Sequence, residues 1–173
     1  MPLTRTLALF SLLLLACGRA NPPPDPELTS AVGFVAGFYD WYVPRAKQGT
    51  GWPLVIQDSA HLFAAALLDD LRSDADAQAS SPDAIVGLNG DPFLDAQDFC
   101  EVYEVSTARY EGSSVIVEVH GDCSLASDNA PDVVAVLNRS GSGWVFVNFR
   151  YPQHNSDLVQ VLRQLRRHRE TQR

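Results

Sequence analysis

EVYEVSTAR at residues 101–109 and SVIVEVH at residues 114–120 are two runs rich in β-branched residues, parted by Tyr110-Glu111-Gly112-Ser113. Runs of this length around a glycine-bearing break predict the two strands of an antiparallel hairpin. With Glu111-Gly112 as the two-residue turn, residue 109 stands opposite 114 and Cys100 opposite Cys123. That register makes the cysteines a hydrogen-bonded pair with Cα atoms about 5.5 Å apart, within reach of a disulfide. The hairpin and the crosslink thus support each other, and two lone cysteines lack the four-ligand spacing zinc needs, so no metal is expected.

Working outward, Val133 to Asn138 and Trp144 to Tyr151 carry two more strand signals, joined by Arg139-Ser140-Gly141-Ser142-Gly143. The Gly-x-Gly spacing there reads as a flexible hairpin loop rather than a phosphate cradle. Toward the N-terminus, Asp91-Pro92-Phe93-Leu94 is a turn followed by a short apolar piece, and Asp74 to Ser81 reads as solvent-exposed. Ser59 caps a helix reaching Arg72 through Leu62, Phe63, Ala66, Leu67 and Leu71, and Ala46 to Trp52 is a polar loop. A longer helix runs from Glu27 to Val43, with Leu28, Val32, Val35, Tyr39 and Tyr42 at helical spacing and Pro44 stopping it. A last helix starts near Ser156 and carries Leu158, Val161, Leu162 and Leu165. Helices first, then a run of antiparallel strands, then a C-terminal helix is an α+β layout, expected as one domain over residues 27–173.

Charge excludes one class of partner. The chain has 13 Lys and Arg against 21 Asp and Glu, a net charge of -8, which argues against nucleic acid. The acids Asp69, Asp70, Asp74, Asp76 and Asp83 cluster in the middle, and Arg163, Arg166, Arg167, Arg169 and Arg173 crowd the end. Two solvated faces account for this, and a sharper reading sets the basic tail against anionic lipid.

At the N-terminus, Arg5 is the one charge before an apolar run that ends Leu12-Leu13-Leu14-Leu15-Ala16-Cys17. This is the pattern of a secretory leader and is too short for a spanning helix, which takes about 20 apolar residues. Leu14-Leu15-Ala16-Cys17 resembles a bacterial lipobox. The resemblance implies a signal peptide over residues 1–16, lipidation of Cys17 and anchorage in a bacterial envelope. Gly18 after the cysteine favours the outer membrane, with the domain facing the periplasm. Residues 17–26 with Pro22-Pro23-Pro24 and Pro26 form an extended spacer of about 3.1 Å per residue. In that oxidising compartment Cys100 and Cys123 pair.

Phe38-Tyr39-Asp40-Trp41-Tyr42, Asp91-Pro92-Phe93-Leu94 with Gln97-Asp98, and Trp144-Val145-Phe146-Val147-Asn148-Phe149-Arg150-Tyr151 together resemble a family of exported bacterial proteins. That family is the domain of unknown function 3828, in the nuclear-transport-factor-2-like (cystatin-like) class. The resemblance implies a cone-like curved antiparallel sheet of about four strands wrapped round a long helix, with a cavity at its open end. It implies no catalytic residue, because the class spans isomerases, dehydratases and binding modules.

The residues themselves point to binding more than catalysis. Asp40 with Tyr39 and Tyr42 could pair a carboxylate base with a phenol, but neighbouring helical positions diverge by about 100°. His61, His120, His154 and His168 share no metal spacing. Trp41, Trp52, Tyr103, Trp144, Phe146, Phe149 and Tyr151 are many aromatics for one small domain; of these Trp41, Tyr103, Trp144, Phe146 and Tyr151 are the pocket candidates. The expectation is a cofactor-free envelope lipoprotein binding a small apolar ligand or a partner protein. The alternatives are an isomerase- or dehydratase-like enzyme built on Asp40, and an immunity or inhibitor protein using its acidic surface.

Overall fold

A short spacer-to-helix junction opens the fold: the Asp25 carboxylate accepts from the N–H groups of Glu27 (2.8 Å) and Leu28 (3.4 Å), and Pro26 occupies the first turn. These satisfy donors that a helix start leaves free. The computed structural model describes residues 24–96, 99–123 and 130–171. Cys17, the leader, most of the spacer, Gln97-Asp98 and Arg173 lie outside the described residues.

Helix α1 spans Pro26–Lys47 and therefore passes through Pro44 instead of stopping there. In the last turn a proline removes one hydrogen bond, the one to the Asp40 carbonyl, and Pro44 stands on the exposed face where its ring displaces no packing. The buried stripe is Ala31, Val35, Phe38, Tyr39, Tyr42 and Ala46.

The helix expected from Ser59 to Arg72 is in fact broken. α2 spans Trp52–Asp58, a single 3-10 turn covers Ala60–Leu62, and α3 spans Ala65–Ala79. Ser59 ends α2, its hydroxyl donating to the Val55 carbonyl at 2.6 Å, and caps nothing. The break has a tertiary cause: Phe63 bridges to Phe146, and the Ala64 N–H donates to the Phe146 carbonyl at 2.8 Å. The stretch from Asp74, expected to be solvent-exposed, continues α3 to Ala79, and the Asp74 side chain is fully buried.

The sheet has five antiparallel strands in the order β1 (Tyr103–Glu111), β2 (Ser114–Gly121), β3 (Val133–Ser140), β4 (Gly143–Tyr151) and β5 (Ser156–Asp157), with α4 (Leu158–Thr171) closing the chain. Both hairpins turn on Gly-Ser. Glu111 pairs with Ser114 and Ser140 with Gly143, and Gly112 and Gly141 take φ of 60° and 59°. Positive φ at the first central residue is the II′ geometry that matches strand twist. The first turn is thus Gly112-Ser113, one residue later than the sequence suggested, and the second is tight instead of flexible.

The register of β1 on β2 shifts at Ser106-Thr107, where two residues stand against Glu118. Cys100 and Cys123, beyond the strand ends, are joined as a disulfide with Cα atoms 4.7 Å apart, closer than a hydrogen-bonded pair. Reduction should remove about 3 kcal/mol of stability by freeing the enclosed loop in the unfolded chain. Urea unfolding with and without reductant measures this, and Cys100→Ser should show the same loss with no further response to reductant.

One face of the sheet meets the helices through Val115, Val117, Val119, Val133, Ala135, Leu137, Phe146 and Phe149, all at most 2 % exposed. On the other face Ile116, Val134 and Val136 form a small second cluster, with Val147 packed against it. Side chains at its margin pair with one another: Arg109 with Glu118, and Arg150 with Glu111. Helix α4 packs on α3, where Arg166 pairs with Asp70 and Arg169 with Asp74. Two acids of the central cluster and two arginines of the tail thus neutralise each other, which corrects the picture of two solvated faces.

Candidate functional site

Helix α1 presents Phe38, Tyr39 and Tyr42 to the sheet, and what they meet is solid. The rings of Phe38, Phe63, Phe93, Phe146 and Phe149 contact one another at centroid distances of 4.9 to 6.1 Å. None of the five is more than 4 % exposed. The volume that a hollow cone would keep for a ligand is filled by the chain's own aromatics, each pair adding about 0.5 to 1.5 kcal/mol beyond area burial.

Three tyrosines reach from this core to one segment. The Tyr39 hydroxyl donates to the Phe93 carbonyl (2.6 Å), the Tyr151 hydroxyl to the Pro92 carbonyl (2.8 Å), and the Tyr42 hydroxyl to the Asp91 carboxylate. The other Asp91 oxygen accepts from the N–H groups of Phe93 (2.9 Å) and Leu94 (3.1 Å). An aspartate before a proline bends its own chain this way, so Asp91-Pro92-Phe93-Leu94 is a turn pinned from inside. Burial raises the Asp91 pKa above the usual carboxylate range, partly offset by the bonds from Tyr42, Phe93 and Leu94. Burial likewise raises Tyr39, Tyr42, Tyr103 and Tyr151, so these phenols stay protonated donors.

Asp91 also lines a surface cleft of about 490 Å3, where the end of α1 and the start of α2 face Asn89, Gly90, Ala96 and Phe99. Ala46, Trp52, Ala96 and Phe99 give it apolar walls, and Gly49, Gly51 and Gly90 narrow backbone edges. A larger groove of about 780 Å3 lies between α3 and α4, lined by Asp69, Arg72, Asp76, Arg166 and Glu170 among others. Its charges are mixed and no apolar side chain larger than Val86 enters it, so the smaller cleft is the better binding site.

The residues singled out from sequence separate sharply. Asp40 is exposed on the far side of α1 from Tyr39 and Tyr42, which are buried and bonded elsewhere, so the three form no acid–base group. Phe146 is core, and Tyr151 holds the turn. The Trp144 indole N–H donates to Ser30 (3.1 Å) under the Arg139 guanidinium, and Trp41 lies beneath Arg45. Tyr103 accepts from the Cys100 N–H at 3.3 Å. None of these five pocket candidates lines the cleft; Trp52, Phe99 and Asp91 do. The Asp-Pro pair was the available sequence signal, since it marks a turn whose carboxylate bonds its own backbone. His154 pairs with Asp95 at 3.2 Å, and among the described residues no three His, Cys, Asp or Glu side chains are grouped to hold a metal. No described helix is long and apolar enough to cross a membrane. No family model, curated protein or solved structure matches the chain.

Proposed function

We propose that this is a lipid-anchored protein of the bacterial envelope that works by binding, taking a small apolar ligand or a partner protein at the cleft walled by Trp52 and Phe99. The observation that carries the reading is the placement of the two ends of α1. At its start, Asp25 and Glu27 meet the Tyr110 hydroxyl at 3.2 Å, and Glu27 meets Arg139 at 3.0 Å, beside both tight turns. At its end, Ala46 lines the cleft. The 22 residues of α1 separate the two by about 33 Å. A chain tethered through Cys17 and a proline-rich spacer would hold the turns toward its lipid and the cleft away from it. The filled core turns the binding reading from an interior cavity to this surface.

Labelled palmitate tests the anchor. Wild-type chain should incorporate it, Cys17→Ser should not and should leave the membrane fraction, and Trp52→Ala should incorporate it fully while losing whatever native mass spectrometry finds bound. Label retained by Cys17→Ser would overturn the anchor; an unchanged bound species in Trp52→Ala would overturn the cleft.

A second reading is favoured by one observation: a buried carboxylate of raised pKa, bonded to a phenol, borders the cleft. If the protein is an enzyme, Asp91 with Tyr42 replaces Asp40 as its acid–base group. The inhibitor reading loses support, because Asp70 and Asp74 of the acidic cluster are spent on Arg166 and Arg169.

A further inference from the structure

β1 is the outer strand of an open sheet, and among the described residues no strand pairs with its far side. Exposed edges of nine residues are uncommon without a device that blunts them, and a bulge is such a device. Here the bulge has a further effect. A two-residue turn closes on a hydrogen-bonded pair, Glu111 with Ser114, and such pairs alternate, so Arg109 with Ile116 is the next. The N–H and C=O groups of Tyr110 and Ala108 therefore point off the sheet. Beyond the bulge, Asp122 N–H donates to the Val102 carbonyl at 2.8 Å, so Val102 and Glu104 face β2 while Tyr103 and Val105 point off it. The free groups sit at positions 103, 105, 108 and 110.

That set is its own complement. We infer that two copies of this chain pair β1 with β1 antiparallel, about a two-fold axis between Ser106 and Thr107, extending one sheet through both. In this register Tyr103 meets the second copy's Tyr110 and Val105 its Ala108, and each of these residues offers both backbone groups to the join. Without the bulge the free positions would keep one parity, and no axis between two residues could match them. The bulge places Ser106-Thr107 opposite itself, where both residues already turn toward Glu118: the Ser106 hydroxyl reaches its carbonyl at 3.5 Å and the Thr107 hydroxyl its carboxylate at 2.8 Å.

Charge agrees with geometry. The positions between the bonded pairs set Glu104 against the second copy's Arg109, twice per dimer, at the closer cross-strand spacing. The Glu104 side chain is exposed and has no hydrogen bond or ion pair among the described residues, and the Arg109 side chain is 57 % exposed beside Glu118. This pairing is an isologous interface, needing one patch only, and it does not depend on the lipid anchor or the cleft.

Sedimentation equilibrium of the full chain in density-matched detergent tests it. Wild type should show a concentration-dependent monomer–dimer equilibrium. Glu104→Arg and Arg109→Glu should each weaken the dimer by at least about tenfold, since each sets like charges opposite twice, and the double swap should restore it. Ala108→Pro removes an N–H that points off the sheet and spares the bonds to β2, so it should dissociate the dimer while keeping the melting temperature of wild type diluted to its monomer. A wild type that stays monomeric, single variants that leave the equilibrium untouched, or a double swap without rescue would overturn the inference. So would an extended peptide of another protein binding at β1 of a monomeric chain.

Discussion

Asp91→Ala should cost about 3 to 6 kcal/mol, enough to leave much of the chain unfolded at ordinary temperature. The figure follows from what the side chain satisfies. Three buried donors lose their acceptor together, the Tyr42 hydroxyl and the N–H groups of Phe93 and Leu94, and each unsatisfied group costs about 1 to 3 kcal/mol. The turn they hold carries Phe93, which is fully buried against the rings of Phe38, Phe63, Phe149 and Tyr42. Asp91→Asn keeps an oxygen for the two backbone donors and can offer its amide to the Tyr42 oxygen, so its loss should be a small fraction of that of alanine. Urea unfolding of both variants decides the point: equal large losses would show that an amide cannot replace the carboxylate, and equal small losses that the turn is held by Tyr39 and Tyr151 alone.

The same pair of variants carries a pH signature. Burial raises the folded-state pKa of Asp91, so between the unfolded value, about 3.9, and the folded one the native chain binds more protons than the unfolded chain. Stability attributable to this residue therefore falls as pH rises through that window, and it is greatest below it. Asp95 shifts in the same direction, while Glu111, held ionised by Arg150, and Glu118, held ionised by Thr107 and Arg109, shift in the opposite one. The difference between wild type and Asp91→Asn isolates Asp91: the asparagine variant should lack its share of the decline.

What could be read without coordinates was what local pattern dictates. Four runs carry strand signals, α1 and α4 carry helical stripes, and the structure has the α+β order those imply. The failures share a cause, which is that the deciding contact is distant in sequence. Phe63-Ala64 sits in a helical pattern yet bonds to Phe146, so α3 starts later. The first turn is the exception: glycine at the first central position suits a II′ turn, whereas Glu-Gly would force Glu111 to positive φ, so local chemistry favours Gly112-Ser113 over the expected Glu111-Gly112. The site fared worse than the fold for the same reason. Tyr42 and Asp91 are 49 residues apart and only the packed chain brings them together, while the aromatics expected round a mouth close on each other as core.

Arg169→Ala should be the other severe substitution, at about 3 to 5 kcal/mol, although it removes a charge from a tail that looks expendable in sequence. Its guanidinium donates to Asp74 at 2.6 Å and to the Val86 carbonyl at 2.9 Å. The Asp74 side chain is 0 % exposed and that of Arg169 16 %, so solvent cannot replace the lost partner. What remains for Asp74 is the Leu88 N–H at 2.8 Å. The site is also tight, because Gly87 passes so close that a Cβ there would lie 2.8 Å from the carboxylate. A buried ion pair is costly to halve and often cheap to replace whole. The combination Asp74→Leu with Arg169→Leu should therefore recover most of what Arg169→Ala loses, whereas Arg163→Ala, at an exposed side chain with no ion pair among the described residues, should stay within about 0.5 kcal/mol of wild type. Urea midpoints for the three variants give the comparison. Equal, small losses for Arg163→Ala and Arg169→Ala would mean that α4 is held to α3 by Leu158 and Leu162 alone, and that the pairing of the acidic middle with the basic end contributes nothing to the fold.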